Sequence, residues 1–204
     1  MSNFSLKQIK AIILAGGKGT RLSKINNYKP KVLLKMVNKT LLSYVIKNLR
    51  NHGITNFIYK LGYQSDMIKK VVQNQSLENE KCIFLVEKEL LGTCGGLNYL
   101  QHGDQPILVI YGDVVSNINI RKLLKFHINN SSQATLVVHE SDHPEDSDVV
   151  VLDNEKRVIS IVNKPESGNF GNITNAAMYL LDHTDYDVRF NFCTTIQRCL
   201  HLRH

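Results

Sequence analysis

Long apolar runs are missing from this 204-residue chain, and no stretch approaches the roughly 18 residues that a membrane-crossing helix requires. Residues 1–10, MSNFSLKQIK, lack the apolar core of a secretory signal and run straight into the first predicted strand. Cysteine is scarce as well. Cys82, Cys94, Cys193 and Cys199 form no dense framework, so free thiols in a reducing cytoplasm are expected. No internal repeat, low-complexity tract or linker divides the sequence. A single domain over residues 1–204 is therefore expected, large enough to bury roughly 70% of its unfolded surface.

Negative charge is scarce in one half only. The formal net charge is +7, but residues 1–81 carry 15 Lys/Arg against 3 Asp/Glu, a balance of +12. Residues 82–204 carry 10 against 15, a balance of −5. The asymmetry points to an anionic partner held by the N-terminal half, with a solvated basic surface as the plainer alternative. The cations are dispersed and accompany no RNA-binding aromatic motif, which favours a small phosphate ligand over nucleic acid.

The apolar run at Ile9–Leu14 is that of a strand buried in a parallel sheet. Over 40–52, Leu41, Leu42, Val45, Ile46 and Leu49 fall at helical spacing, with Gly53 as the stop. Residues 56–61 read as a second strand, 65–73 as a second helix and 82–86 as a third strand. A glycine-rich entry leads to a helix near 93–100, a fourth strand spans 107–111 and ends at Gly112-Asp113, and a helix at 120–129 precedes a strand at 134–139. This alternation predicts an α/β fold: a Rossmann-like, mostly parallel sheet flanked by helices. After about residue 146 the texture changes to short strands at 148–153, 157–163 and 175–181. Residues 183–204 show no clear period.

In an open α/β sheet, ligands bind beyond the carboxyl ends of the strands, where "LAGGKGTRL" (14–22) stands. Gly16, Gly17 and Gly19 permit close backbone approach and positive φ, and exposed N–H groups there can cradle an anion. Lys18 and Arg21 add charge-assisted hydrogen bonds of about 1.5–3 kcal/mol each. The loop matches neither a dinucleotide fingerprint, which needs glycine where Leu22 stands, nor a P-loop, which must end in Gly-Lys-Ser/Thr.

Read with its downstream sequence, "LAGGKGTRLSKINNYKPK" resembles the signature of the sugar-nucleotidyltransferase family, whose members join a nucleoside triphosphate to a sugar 1-phosphate. "EKELLGTCGGL" resembles that family's nucleobase loop, "YGDVV" its metal-binding strand end, and "VNKPE" and "NAAMYLL" its sugar-side motifs. The motifs keep family order across residues 9–181. "HESDHPEDSDVVVLD" with "VNKPE" looks like the branch acting on heptose or mannose 1-phosphates, which are often GTP-dependent guanylyltransferases. The resemblance implies a GT-A-like nucleotidyltransferase fold with a nucleotide-binding part over 1–113, a sugar-phosphate-binding part over 114–182 and an atypical tail over 183–204.

It also implies roles. The partners would be a nucleoside triphosphate, with GTP favoured, and a sugar 1-phosphate, with Mg²⁺ as cofactor. Leu14, Ala15, Gly16 and Gly17 would line the nucleotide, with Gly19 and Thr20 near its phosphates. Arg21 and Lys31 would clamp the triphosphate and the charge developing at the α-phosphorus. Glu87, Gly92 and Thr93 would face base and ribose; a carboxylate at 87 could accept from guanine or from cytosine, which leaves base choice open. Asp113 would be the magnesium ligand, since magnesium usually takes one or two carboxylates plus substrate phosphates. Lys164 would grip the sugar phosphate and Asn175 a sugar hydroxyl, with Ser147 and Asp148 in the sugar pocket. The attacking phosphate oxygen is already ionised, so neither a covalent nucleophile nor a general base is required.

The sequence departs from the family pattern in places. Asn163 stands where the sugar-side motif has Glu, and Ala177 where it has Gly, so a methyl there is expected to crowd the sugar or force a small shift. A later carboxylate that completes the family's metal site has no counterpart in the tail, which implies truncation or a frame disruption. A nucleotide-binding remnant or regulatory subunit is accordingly the alternative to an active transferase. Cys193, Cys199, His201 and His204 fit no common zinc spacing.

Overall fold

The computed structural model describes residues 6–17, 29–87, 106–165 and 170–182. The expected helix near 93–100 and the tail over 183–204 lie outside them. Strand β1 (Lys10–Leu14) leads to a 3-10 turn at Lys31–Leu33 and a small hairpin, β2 (Lys35–Met36) and β3 (Lys39–Thr40). Helix α1 (Leu41–Asn51), β4 (Asn56–Leu61), α2 (Ser65–Gln73) and β5 (Lys81–Val86) follow. Beyond them come β6 (Ile107–Tyr111), α3 (Ile120–Asn129), β7 (Ala134–Glu140), β8 (Val149–Leu152), β9 (Val158–Val162) and β10 (Ile173–Leu181).

Local chemistry explains the helix ends. Thr40 caps α1, its Oγ1 accepting from the Ser43 backbone N–H at 3.1 Å, which satisfies one of the orphan donors of the first turn. The helix stops as expected at Gly53, whose φ of +87° is the left-handed geometry glycine adopts without steric cost. Asn119 caps α3 in the same manner, accepting from Lys122 N–H at 3.1 Å.

Eight of the described strands form one sheet in the order β5-β4-β1-β6-β10-β8-β9, with β7 also paired to β10, and β2 and β3 pair separately. Strands β5, β4, β1 and β6 are parallel, whereas β10 runs antiparallel to β6, β7 and β8, and β8 to β9. The parallel sheet expected for the first half is thus extended by an antiparallel second half.

Strand β1 is apolar beyond Lys10 because both faces of the sheet are covered. Ala11 and Ile13 pack with Phe57, Tyr59, Leu61, Leu108 and Ile110 against the apolar faces of the three described α-helices, including Leu42, Ile46, Leu49, Ile68, Val72, Ile120 and Leu123. Ile12 joins Ile58, Ile107, Val109, Tyr179 and Leu181 on the other face. The Tyr59 ring stacks on Phe84 with centroids 5.4 Å apart, and burial pushes its hydroxyl pKa far above the usual phenol value. At the rim, Glu80, whose side chain is 1% exposed, takes a two-pronged ion pair from Arg50. Arg50 also donates to the Gln75 carbonyl at 2.7 Å, tying the end of α1 to the approach to β5. Among the described residues, no helix is long and apolar enough to cross a membrane.

Candidate active site at the carboxyl edge of the sheet

Strand order reverses at β1. The chain steps outward through β4 and β5, then returns to place β6 on the other side. The carboxyl end of β1 is therefore the crevice where open α/β sheets bind ligands, and it carries Leu14, Ala15, Gly16 and Gly17. Both neighbours hold this start of the glycine loop. Ala15 N–H donates to the Lys60 carbonyl at 2.8 Å, Gly112 N–H to the Leu14 carbonyl at 2.9 Å, and Tyr63 N–H to the Gly16 carbonyl at 3.3 Å. Gly17 is not in the left-handed region, and among the described residues a Cβ built on it would meet nothing within 4 Å. What this glycine contributes is open space rather than an unusual φ. Gly19, Thr20, Arg21, Gly92 and Thr93 lie outside the described residues.

Lys31 and Asp113 are 82 positions apart in sequence but form an ion pair, Nζ to Oδ2, at 2.7 Å. Two local features set it. Pro30 precedes the 3-10 turn that presents Lys31, and Gly112 lets that turn press against the end of β1. A Cβ at Gly112 would stand 3.2 Å from the Leu14 carbonyl oxygen, 3.2 Å from Val32 Cγ1 and 3.3 Å from Ile13 Cγ2. The two side chains remain accessible, at 45% and 20% exposure. Asp113 fits a magnesium ligand of the kind that is completed by substrate phosphates. Among the described residues no cluster of three or more His, Cys, Asp or Glu side chains could hold a metal alone.

Glu87 follows β5, its N–H donating to the Leu61 carbonyl at 2.9 Å. Its carboxylate meets Lys60 Nζ at 3.1 Å, and the two side chains are only 2% and 6% exposed. That ion pair engages Oε2 alone, so it does not decide the expectation that Glu87 faces a base. Lys60 is the partner that sequence reasoning passed over, although a lysine inside an otherwise apolar strand was a visible signal. Burial on both sides needs such a charge to be paired.

The sugar-side candidates converge through strand register. Val149 of β8 pairs with Val162 of β9 and with Thr174 of β10. Asp148, Asn163 and Asn175 accordingly lie one step past those pairs at the same end, with Ser147 and Lys164 one step further. The Asn175 N–H donates to the Asp148 carbonyl at 2.9 Å. Strand β10 also reaches β6, where Met178 is opposite Ile110, so the segment 175–177 bridges from the Asp148 end to the strand end that bears Asp113.

That segment is a bulge, with the β7–β10 register shifting between Asn175 and Tyr179. The Asn175 side chain staples it: Oδ1 accepts from Ala177 N–H at 2.9 Å, and Nδ2 donates to the Tyr179 hydroxyl at 2.7 Å. Ala177 has φ +54° and Lys164 φ +36°, a region where an L side chain is strained. The expected departure at Ala177 therefore has a backbone cause. Glycine suits this position because the bulge needs left-handed φ.

A family model described as "Nucleotidyl transferase" matches residues 10–195. The mannose-1-phosphate guanyltransferase of Emericella nidulans is 33% identical over 181 residues, covering 85% of this chain and 50% of that protein. Mannose-1-phosphate guanylyltransferase 1 of Arabidopsis thaliana is 31% identical over 186 residues, 88% of this chain and 51% of that protein. The chain thus spans about half the length of the curated relatives it matches. Among solved structures, HddC from Yersinia pseudotuberculosis complexed with GMP-PN superposes with a TM-score of 0.71 at 28% identity, covering 87% of this chain and 79% of that one.

Proposed function

The chain belongs to the nucleotidyl transferase family, and from that premise we propose that it condenses a nucleoside triphosphate with a sugar 1-phosphate, releasing pyrophosphate and a nucleoside diphosphate sugar. GTP is the favoured nucleotide and a mannose- or heptose-type 1-phosphate the favoured acceptor. The kinship with mannose-1-phosphate guanyltransferases and the likeness to HddC, solved with GMP-PN, support this choice. The reading includes magnesium as cofactor and a cytoplasmic location.

The observation that carries the proposal is the placement of the Lys31–Asp113 pair. It lies at the carboxyl edge, between the glycine-loop strand and the β10 segment that leads to Ser147, Asp148, Lys164 and Asn175. In the proposed reaction a sugar-phosphate oxygen attacks the α-phosphorus in line and pyrophosphate departs. Positioning and charge neutralisation supply most of the acceleration. The space that the described residues leave open at Gly17 admits the nucleotide. The Lys31 ammonium steadies the negative charge that builds on the phosphoryl oxygens, and Lys164 brings in the anionic acceptor. Magnesium held by Asp113 with substrate phosphates would supply further neutralisation.

A pyrophosphate-release screen tests the reading, crossing four nucleoside triphosphates with a panel of sugar 1-phosphates. Release is expected to need both substrates and a divalent cation, to be fastest with GTP, and to fall by at least about a hundredfold in Asp113→Asn, the scale of losing a main electrostatic contact. Stabilisation by nucleotide without release from any pair would instead identify a binding module.

A further inference from the structure

Lys31 and Asp113 carry the opposite charges that the two halves of a metal–polyphosphate would seek. In the structure they neutralise each other at 2.7 Å. Magnesium binds carboxylate oxygen at about 2.0–2.1 Å. A cation on Oδ2 and an ammonium hydrogen-bonded to that same oxygen would stand within about 5 Å of each other, where like charges repel strongly. The pair also has freedom to separate. Lys31 is 45% exposed on a flexible stem, whereas Asp113 is held by Gly112 against the end of β1.

We propose that Lys31 and Asp113 form an exchange pair that couples metal binding to polyphosphate binding. Lys31 holds the carboxylate until a polyphosphate draws the ammonium away, and only then does Asp113 accept a divalent cation at full strength. Neither charge is left uncompensated at any stage. Metal alone binds weakly, and the polyphosphate strengthens metal binding beyond what its own chelation provides. By linkage, metal strengthens polyphosphate binding by the same factor. The inference rests on the roles proposed above for these two residues.

The test is Mn²⁺ titration of the purified chain at physiological ionic strength, with free Mn²⁺ followed by electron paramagnetic resonance and no nucleotide or sugar present. Lys31→Met is expected to bind Mn²⁺ about fivefold more tightly than the parent chain, the effect of a screened repulsion between +1 and +2 charges across about 5 Å. Lys31→Gln should match it, while Lys31→Arg, which keeps the charge, should match the parent. Lys35→Met removes an exposed lysine of β2 and should change affinity by less than about twofold, which separates exchange from general electrostatics. The gain should vanish in Lys31→Met/Asp113→Asn. Inorganic triphosphate should raise Mn²⁺ affinity of the parent protein by a larger factor than that of Lys31→Met. Equal or weaker Mn²⁺ binding by Lys31→Met, or a gain that survives loss of the Asp113 carboxylate, overturns the proposal. A silent transferase screen would leave this titration standing, and a failed titration would leave the transferase reading standing.

Discussion

Substitutions at Ala177 should rank in the reverse of their strand propensities. Position 177 lies within β10, and an ordinary half-buried strand prefers valine to glycine by about 1 kcal/mol. Here φ is +54°, so the Cβ of an L residue crowds the following carbonyl at a cost of roughly 1–2 kcal/mol. Ala177→Gly removes that cost. It gives back about 0.4–1 kcal/mol through the freer unfolded chain and roughly 0.4 kcal/mol for half a buried methyl. The expected net is a gain of about 0.5 kcal/mol, or about 1–2 °C for a chain of this size. Ala177→Val places a β-branched side chain in the same region and should cost about 1–3 kcal/mol. Glycine should therefore exceed valine by about 2 kcal/mol in denaturant unfolding analysed by linear extrapolation. A valine variant as stable as the glycine variant would refute both the bulge geometry and the strain argument.

Two further outcomes are expected. Gly112→Ala should destabilise by about 1–3 kcal/mol and lower pyrophosphate release. The added Cβ meets the Leu14 carbonyl oxygen at 3.2 Å, and that oxygen accepts the Gly112 N–H, so it cannot withdraw without loosening the turn that carries Asp113; an unchanged unfolding midpoint would contradict this. His127 is buried beside Thr135, with Nδ1 and Oγ1 2.8 Å apart, and burial holds its pKa below the usual value while Asp182 pulls it the other way. The unfolded chain therefore takes up the proton first as pH falls. His127 should erode stability below its ordinary pKa of about 6.5, so the drop in unfolding midpoint between pH 7.5 and 5.5 should shrink in His127→Gln, and identical drops would count against it.

Much of the fold was legible because local rules and burial agreed. Helix bounds at 65–73 and 120–129 and strand bounds at 56–61 and 107–111 match expectation, since apolar periodicity marked each stretch, Asn119 caps the second helix and Gly62 and Gly112 directly follow the two strands. The small hairpin at β2–β3 went unseen because its strands have two residues each and carry no period to read. The antiparallel insertion of β10 between β6 and β8 was equally hidden, for pairing partners are chosen by long-range packing and not by the strand's own residues.

The site divides along the same line. By itself the sequence determined the residue types near the crevice: glycines after a buried strand, a Gly-Asp strand end, and asparagines and lysines in the later motifs. Residue identity and spacing are local properties of the chain. Only the tertiary structure decided that Lys31 pairs with Asp113 and Glu87 with Lys60, because these partners lie 27 to 82 positions apart and meet through strand order. It also decided that the sequence's alanine at 177 occupies a left-handed bulge. A backbone angle at one residue is imposed by the strands on either side, and no side chain announces it.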